Sequence, residues 1–508
     1  MERLPQEIVC EIASYLPIRH EDGLVRPALA TLSRSWQSAI EPLTFKLLQI
    51  TSDDLQDFYS AFANIPRRGF LRELHLDIFL PLYSRLDCTK YETARDRAAN
   101  SHVVTYHVSA LLQELSQWLA SGKLSLGIAM YSLMDGATQN NFGQDHYNIG
   151  FGERQDLFSK RYSNSYIHLA DTFTVVAPCV TSLYVHSGAR SLDAASLVTL
   201  TAAFPNLERI DWPCQDPAYF LALRRQQMHG FANAVNSFQP PSACKTLCIS
   251  INSPWYPHKD RLPNLQSGST SFCSALCTML GRSNIERLEY EGPIDSTLFW
   301  APGSPGAEDT SWKSLRGMRV RFGLGSLAGQ WFFKGRPEDR LYVQSSDVPL
   351  PQDTAGIFPS GYYDNDQENE EAAALAKSME IPEDEFGFVV EGCEFRCIPR
   401  DEAMLPLLKV VARQLTHTPS LRNVHLEAVL PWDNGMWFFE YLAPAEESDY
   451  DVYVDCEGKR CDDPLSRARV FLHAPDWRPD EGVVAMLRGI GKACHGEDAI
   501  MTLLPFLY

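Results

Sequence analysis

Ile285-Glu-Arg-Leu-Glu-Tyr290 is an apolar-x-x-apolar-x-apolar hexapeptide whose last three positions alternate as in a strand with one buried face. The same pattern occurs at Leu71-Arg-Glu-Leu-His-Leu76, Val180-Thr-Ser-Leu-Tyr-Val185, Leu207-Glu-Arg-Ile-Asp-Trp212, Cys244-Lys-Thr-Leu-Cys-Ile249, Leu315-Arg-Gly-Met-Arg-Val320 and Leu421-Arg-Asn-Val-His-Leu426. Turn phrases such as Phe204-Pro-Asn206 and Thr418-Pro-Ser420 precede several copies. Helical stretches lie between them, at Val103 to Leu119, Ala218 to Phe238, Ser271 to Leu280 and Glu402 to Leu415. Strand followed by helix, again and again, predicts an α/β chain whose units bury their apolar edges against neighbours.

The central residues at 183, 210, 247, 288 and 318 are separated by 27, 37, 41 and 30 residues. This resembles a leucine-rich-repeat solenoid with long, irregular repeats. The resemblance implies parallel strands on a concave face, helices on the convex face, and protein recognition on the concave side. A non-repeat α/β domain with a parallel sheet is the alternative. Residues 47–361 would form the recognition domain and 387–508 its continuation. Tyr362 to Phe386, with nine acidic residues, separates them as an insertion or linker. Asp135 to Glu153, rich in Gly, Asn and Gln, is expected to be a surface loop. Phe388 to Cys397 and Arg467 to Leu472 read as further strands.

At the other end of the chain, Leu4-Pro-Gln-Glu-Ile-Val-Cys-Glu-Ile-Ala-Ser-Tyr-Leu-Pro17 reads as a short helix entered at Pro5 and ended at Pro17. Ile8, Ile12 and Leu16 share one of its faces. After a polar connection, Leu29, Leu32, Trp36 and Ile40 again fall at helical spacing. A helical piece of this size cannot cover its own apolar surface, so the next domain or a partner must do so.

Leu4-Pro-x-Glu-Ile, the phased Ile12 and Leu16, Ser33-Arg-Ser-Trp36 and Ile40-Glu-Pro-Leu-Thr-Phe45 together resemble an F-box, in the form common in fungal F-box proteins. The resemblance covers residues 1–46 and implies an all-helical module docking a Skp-type adaptor through Leu4, Pro5, Ile8, Ile12, Leu16 and Trp36. It further implies the substrate-recognition subunit of an SCF-type cullin ubiquitin ligase, holding a protein target with the repeat-like domain and doing no bond chemistry itself. A scaffold acting in an adaptor complex without cullin is the alternative; so is a pair of helices merely capping the array.

The formal net charge is −19 and the pI near 5.1, so the average surface repels phosphate and no nucleic-acid partner is expected. The arginine pairs in Ile65-Pro-Arg-Arg-Gly69 and Leu223-Arg-Arg225 read as solvated faces. No leader or membrane-spanning stretch is recognisable, which predicts a cytosolic or nuclear protein. Thirteen scattered cysteines, including the pairs 244/248, 273/277, 393/397 and 456/461, suit reduced core thiols better than disulfides or a zinc site. Gly323-Leu-Gly-Ser-Leu-Ala-Gly329 has dinucleotide-loop glycines, but Gln330 to Pro337 is too broken to supply the required helix, and a plain turn is expected. No catalytic residue, metal or cofactor is therefore assigned. A nucleotide-binding enzyme is the least favoured reading.

Overall fold

The computed structural model describes residues 4–504 except 17–18, 21–22, 85–86, 88–89, 120–122, 137–160, 163, 170–172, 187–189, 218–219, 253–263, 266–270, 301–311, 336–356, 363, 379–395, 431–434, 448–465 and 475. Most of the loop expected at 135–153 and of the strand expected at 388–397 lies outside the described residues, as do Cys393, Cys456 and Cys461. The chain is mixed α/β. Its twelve-stranded sheet comprises β1 (Leu47–Thr51), β2 (Glu73–Leu80), β3 (Leu124–Ser132), β4 (Val180–Val185), β5 (Arg209–Gln215), β6 (Thr246–Asn252), β7 (Arg287–Glu291), β8 (Gly317–Arg321), β9 (Asn423–Val429), β10 (Met436–Leu442), β11 (Arg469–His473) and β12 (Ile500–Leu504), hydrogen-bonded in chain order. All seven hexapeptides enter strands of this sheet.

Two compact units are distinguished. The first comprises residues 1–91, 95–192 and 199–210; the second comprises 92–94, 193–198 and 211–508. In the first, Leu74, Leu76, Ile78 and Leu80 of β2 alternate into the core beside Leu124, Leu126, Ile128 and Met130 of β3. The long helix Ala94–Leu115 buries Val104, Val108, Leu111, Leu112 and Leu115, at helical spacing. Phe58 and Phe62 stack on Trp118 at 6.0 and 5.4 Å. Arg68 pairs with Glu114 at 3.1 Å and lies over the Trp118 ring. This arginine is part of the packing, not of a solvated face.

In the second unit, helices Leu221–Ser237 and Phe272–Gly281 pack beside the strands through Trp212, Phe231, Phe238, Phe272 and Tyr290. Arg282 donates to the carbonyls of Val235, Asn236 and Phe238, satisfying the end of the first of these helices and complementing its dipole. Cys273 and Cys277 are buried on the inner side of the second. Arg224 is also internal, paired with the buried Asp216.

The expectation of parallel strands fails at the C-terminal end: β10 runs antiparallel to both β9 and β11. The chain between Val429 and Met436 is too short for a crossover, which takes a dozen or more residues, so a hairpin is the only closure. The acidic stretch also differs from a simple linker, since Asp366–Ser378 is helical. Its glutamates, alanines and Gln367 are good helix formers. Asn369 fastens the helix by accepting from the Gly361 amide at 2.6 Å, and Ala372 is buried. Among the described residues, no helix is long and apolar enough to cross a membrane.

Candidate adaptor-docking surface

The N-terminal module contains α1 (Gln6–Tyr15), α2 (Val25–Ala30) and α3 (Arg34–Thr44). Pro5 leads into α1 at φ −53°, close to the value its ring imposes. Ser33 caps α3, its hydroxyl accepting from the Trp36 amide at 3.3 Å. The Gln6 side chain donates to the Ser35 carbonyl at 3.0 Å, so the starts of α1 and α3 are held together.

Apolar side chains of α1 divide into two adjoining bands. Val9 and Ala13 are buried with Trp36, Ala39 and Ile40 of α3, and Leu16, Leu29, Ala30 and Leu43 pack against that cluster. Leu4, Ile8, Ile12 and Tyr15 stay 44%, 41%, 39% and 81% exposed. At about 100° per residue these four fall within an arc of about 80°, so they make one continuous stripe. Pro5 is exposed at its upper end.

The module is tied to the chain that follows it through Glu41. Arg67 donates to Glu41 Oε1 at 2.7 Å, and Gln37 donates to the same oxygen at 2.8 Å. The Arg67 guanidinium also lies 5.1 Å from the Phe45 ring centre, with Phe45 set edge-on to Phe62 at 5.5 Å. Burial alone would raise the Glu41 carboxyl; the hydrogen bonds from Arg67 and Gln37, with the arginine charge, outweigh it and hold the group below its ordinary value. Arg67, too, is engaged and not part of a solvated basic face.

Residues 1–48 match the F-box domain family. No curated protein matches the chain. F-box domains bind Skp-type adaptors, and the matched segment here is the helical module with the open apolar stripe.

The six residues singled out from sequence do not share one surface. Leu4, Pro5, Ile8 and Ile12 lie together on the stripe. Leu16 is half-buried against the inner cluster, and Trp36, only 9% exposed, belongs to that cluster. Helical spacing gives the phase of an apolar band but not its division between inward and outward parts. Tyr15, three residues beyond Ile12, falls within the same arc and belongs to the stripe, although it is not among the six.

Elsewhere, the glycine-rich segment at 323–329 closes a tight hairpin. Gly325 bridges Trp331, the Ser326 amide donates to the Gln330 carbonyl at 2.8 Å, and Gly329 takes φ +79°. Its backbone is spent on the turn. In the same unit, Arg321 and Arg319 reach Glu427 Oε1 at 2.6 and 3.3 Å, and His425 Nε2 lies 3.1 Å from Glu427 Oε2. His425 is stacked on Phe438, whose other neighbour is His473. Burial would lower the His425 pKa, but Glu427 and Glu440 outweigh it and raise it.

Proposed function

We propose that this chain is the substrate-recognition subunit of an SCF-type cullin ubiquitin ligase, an F-box protein of the fungal type acting in the cytosol or nucleus. The observation that carries the reading is the outward stripe of Leu4, Ile8, Ile12 and Tyr15 within the segment that matches the F-box domain. An apolar stripe whose opposite edge already packs inward has no further intramolecular use there, and burying it against an adaptor gains free energy roughly in proportion to its area. Pro5 and the Gln6–Ser35 hydrogen bond fix the stripe before docking, which lowers the ordering cost of association.

The strand-helix domain then holds a protein target, as the leucine-rich-repeat resemblance implies. Sheet strands that follow one another in chain order support that solenoid reading. Residues 47–361 and 387–508 would be its two parts, with 362–386 between them. The chain's contribution is proximity: tethering the target near a ubiquitin-charged enzyme raises the effective concentration of the reacting groups without a catalytic residue from this protein.

Co-expression with a Skp-type adaptor followed by size-exclusion chromatography tests the docking. A stoichiometric complex that disappears when Ile8 and Ile12 are changed to aspartate, with the variant still folded, is the expected result. A folded wild type that never co-elutes with adaptor would overturn it. Adding cullin to the complex separates ligase from scaffold: a ternary complex is expected, and its absence would favour the non-degradative role.

A further inference from the structure

Strands β1 to β4 contain no lysine or arginine, and both of their carboxylates, Glu73 and Asp77, lie on the side opposite the buried Leu74, Leu76 and Ile78. The register aligns Gln49 with His75, His75 with Gly127, and Gly127 with Tyr184 across that side. Because Gly127 has no side chain, His75 lies over it; a Cβ there would stand 2.5 Å from His75 Nδ1. The His75 ring is thereby 6.0 Å from His186, which in turn is 5.2 Å from Tyr184. Tyr184 remains 56% exposed. Around this trio, Glu73 lies 2.7 Å from His75 Nε2, and Asp77 accepts from Gln49 at 2.8 Å.

We infer that this face of the first unit seats a lysine- or arginine-bearing segment of the protein target. The inference rests on the target-binding reading above and adds the chemistry of the partner. A cation over the Tyr184 ring is attracted by its quadrupole, and Glu73 and Asp77 supply charge-assisted acceptors along the same side. An acidic segment would meet the same two carboxylates, so the face discriminates by charge as well as by contact.

Fluorescence anisotropy on the full chain in complex with its adaptor tests this, using a fluorescein-labelled nonapeptide of alternating arginine and serine and its glutamate-serine counterpart. Three variants suffice: Tyr184→Ala, which leaves the charge unchanged; Asp77→Asn; and Glu402→Gln, an exposed carboxylate in the second unit that matches Asp77→Asn in net charge. The arginine peptide is expected to bind and the glutamate peptide not, with Tyr184→Ala about tenfold and Asp77→Asn about fivefold weaker, and Glu402→Gln unchanged. Equal weakening by Asp77→Asn and Glu402→Gln would mean attraction to net charge alone, and with it, or with an unaffected Tyr184→Ala, the inference falls. No binding of the arginine peptide by wild type sinks it too. The target-binding reading is scored separately, by crosslinking the wild-type complex in cell extract: crosslinks confined to strands of the second unit would keep that reading and overturn this one, and no crosslinked protein on either unit would overturn both.

Discussion

Replacing Leu4, Ile8 and Ile12 together by alanine should abolish adaptor docking at working concentrations while leaving the module folded. Each of the three side chains retains about two fifths of its surface in the free protein. Full burial of a leucine or isoleucine is worth about 1.5–3 kcal/mol, so docking should gain about 0.6–1.2 kcal/mol from each. The triple variant then loses about 2–3.5 kcal/mol, or about 30- to 400-fold in Kd. Titration calorimetry against purified adaptor gives the affinity, and far-ultraviolet circular dichroism of the same samples gives helix content. Trp36→Ala is the instructive contrast. Its ring is nearly closed off among Val9, Ala13, Ala39 and Ile40, so its removal should cost about 3–5 kcal/mol of folding and take the helices with it. Binding by the triple variant within threefold of wild type, at unchanged helix content, would refute the assignment of the stripe. Loss of binding in Trp36→Ala with the helices intact would instead make the tryptophan a direct contact.

Two glycines of helix Glu481–His495 should respond with opposite signs: Gly489→Ala, with open space at its Cβ, is expected to stabilise by about 0.5–1 kcal/mol, whereas Gly491→Ala drives a methyl to 2.5 Å from the Ala499 amide and should destabilise by about 1–3 kcal/mol, both read from urea midpoints. Gly127→Ala should cost about 1–3 kcal/mol in wild type and markedly less in a His75→Ala background, because the clash is with that imidazole; additive melting shifts would show another cause. Glu41 is depressed in the folded state, so its contribution is present above the ordinary carboxylate range and is lost as pH falls through the lower folded value; Glu41→Gln should flatten the acid limb of stability below about pH 4. His425 is raised, so its contribution is present below about pH 6.5 and fades as pH rises through the higher folded value, and His425→Gln should remove that alkaline loss in chemical unfolding followed against pH.

Six of the hexapeptides pack one side against a core and leave the other open, which writes period two into the sequence; in the seventh, Leu421 to Leu426, the alternate position is taken by a polar residue, His425, that is itself buried. Where the alternate positions are apolar as well, the pattern fails. Met436 to Leu442 is buried on nearly every position, so β10 reads as an apolar run broken only by Glu440, and its antiparallel direction follows only from the short connection before it. Leu124 to Ser132 alternates well, yet its open side carries Ser125, Gly127 and Ala129, small residues that weaken a strand signal. The structure supplies the reason: His75 from the neighbouring strand occupies the space that a side chain at 127 would fill.

The N-terminal module obeys the same logic in helical form. Spacing identified an apolar band wide enough for two neighbours, but a single chain gives one band and no mark of which part belongs to which neighbour. That division is made by α3: once Trp36, Ala39 and Ile40 take Val9 and Ala13, what α1 has left is Ile8, Ile12 and Tyr15, with Leu4 extending the line. The outward stripe therefore depends on the inner cluster for its existence as a surface. Substitutions in the cluster and in the stripe should both abolish docking, the first by dissolving the helices and the second by removing contacts, and only a measurement of folding beside binding tells them apart.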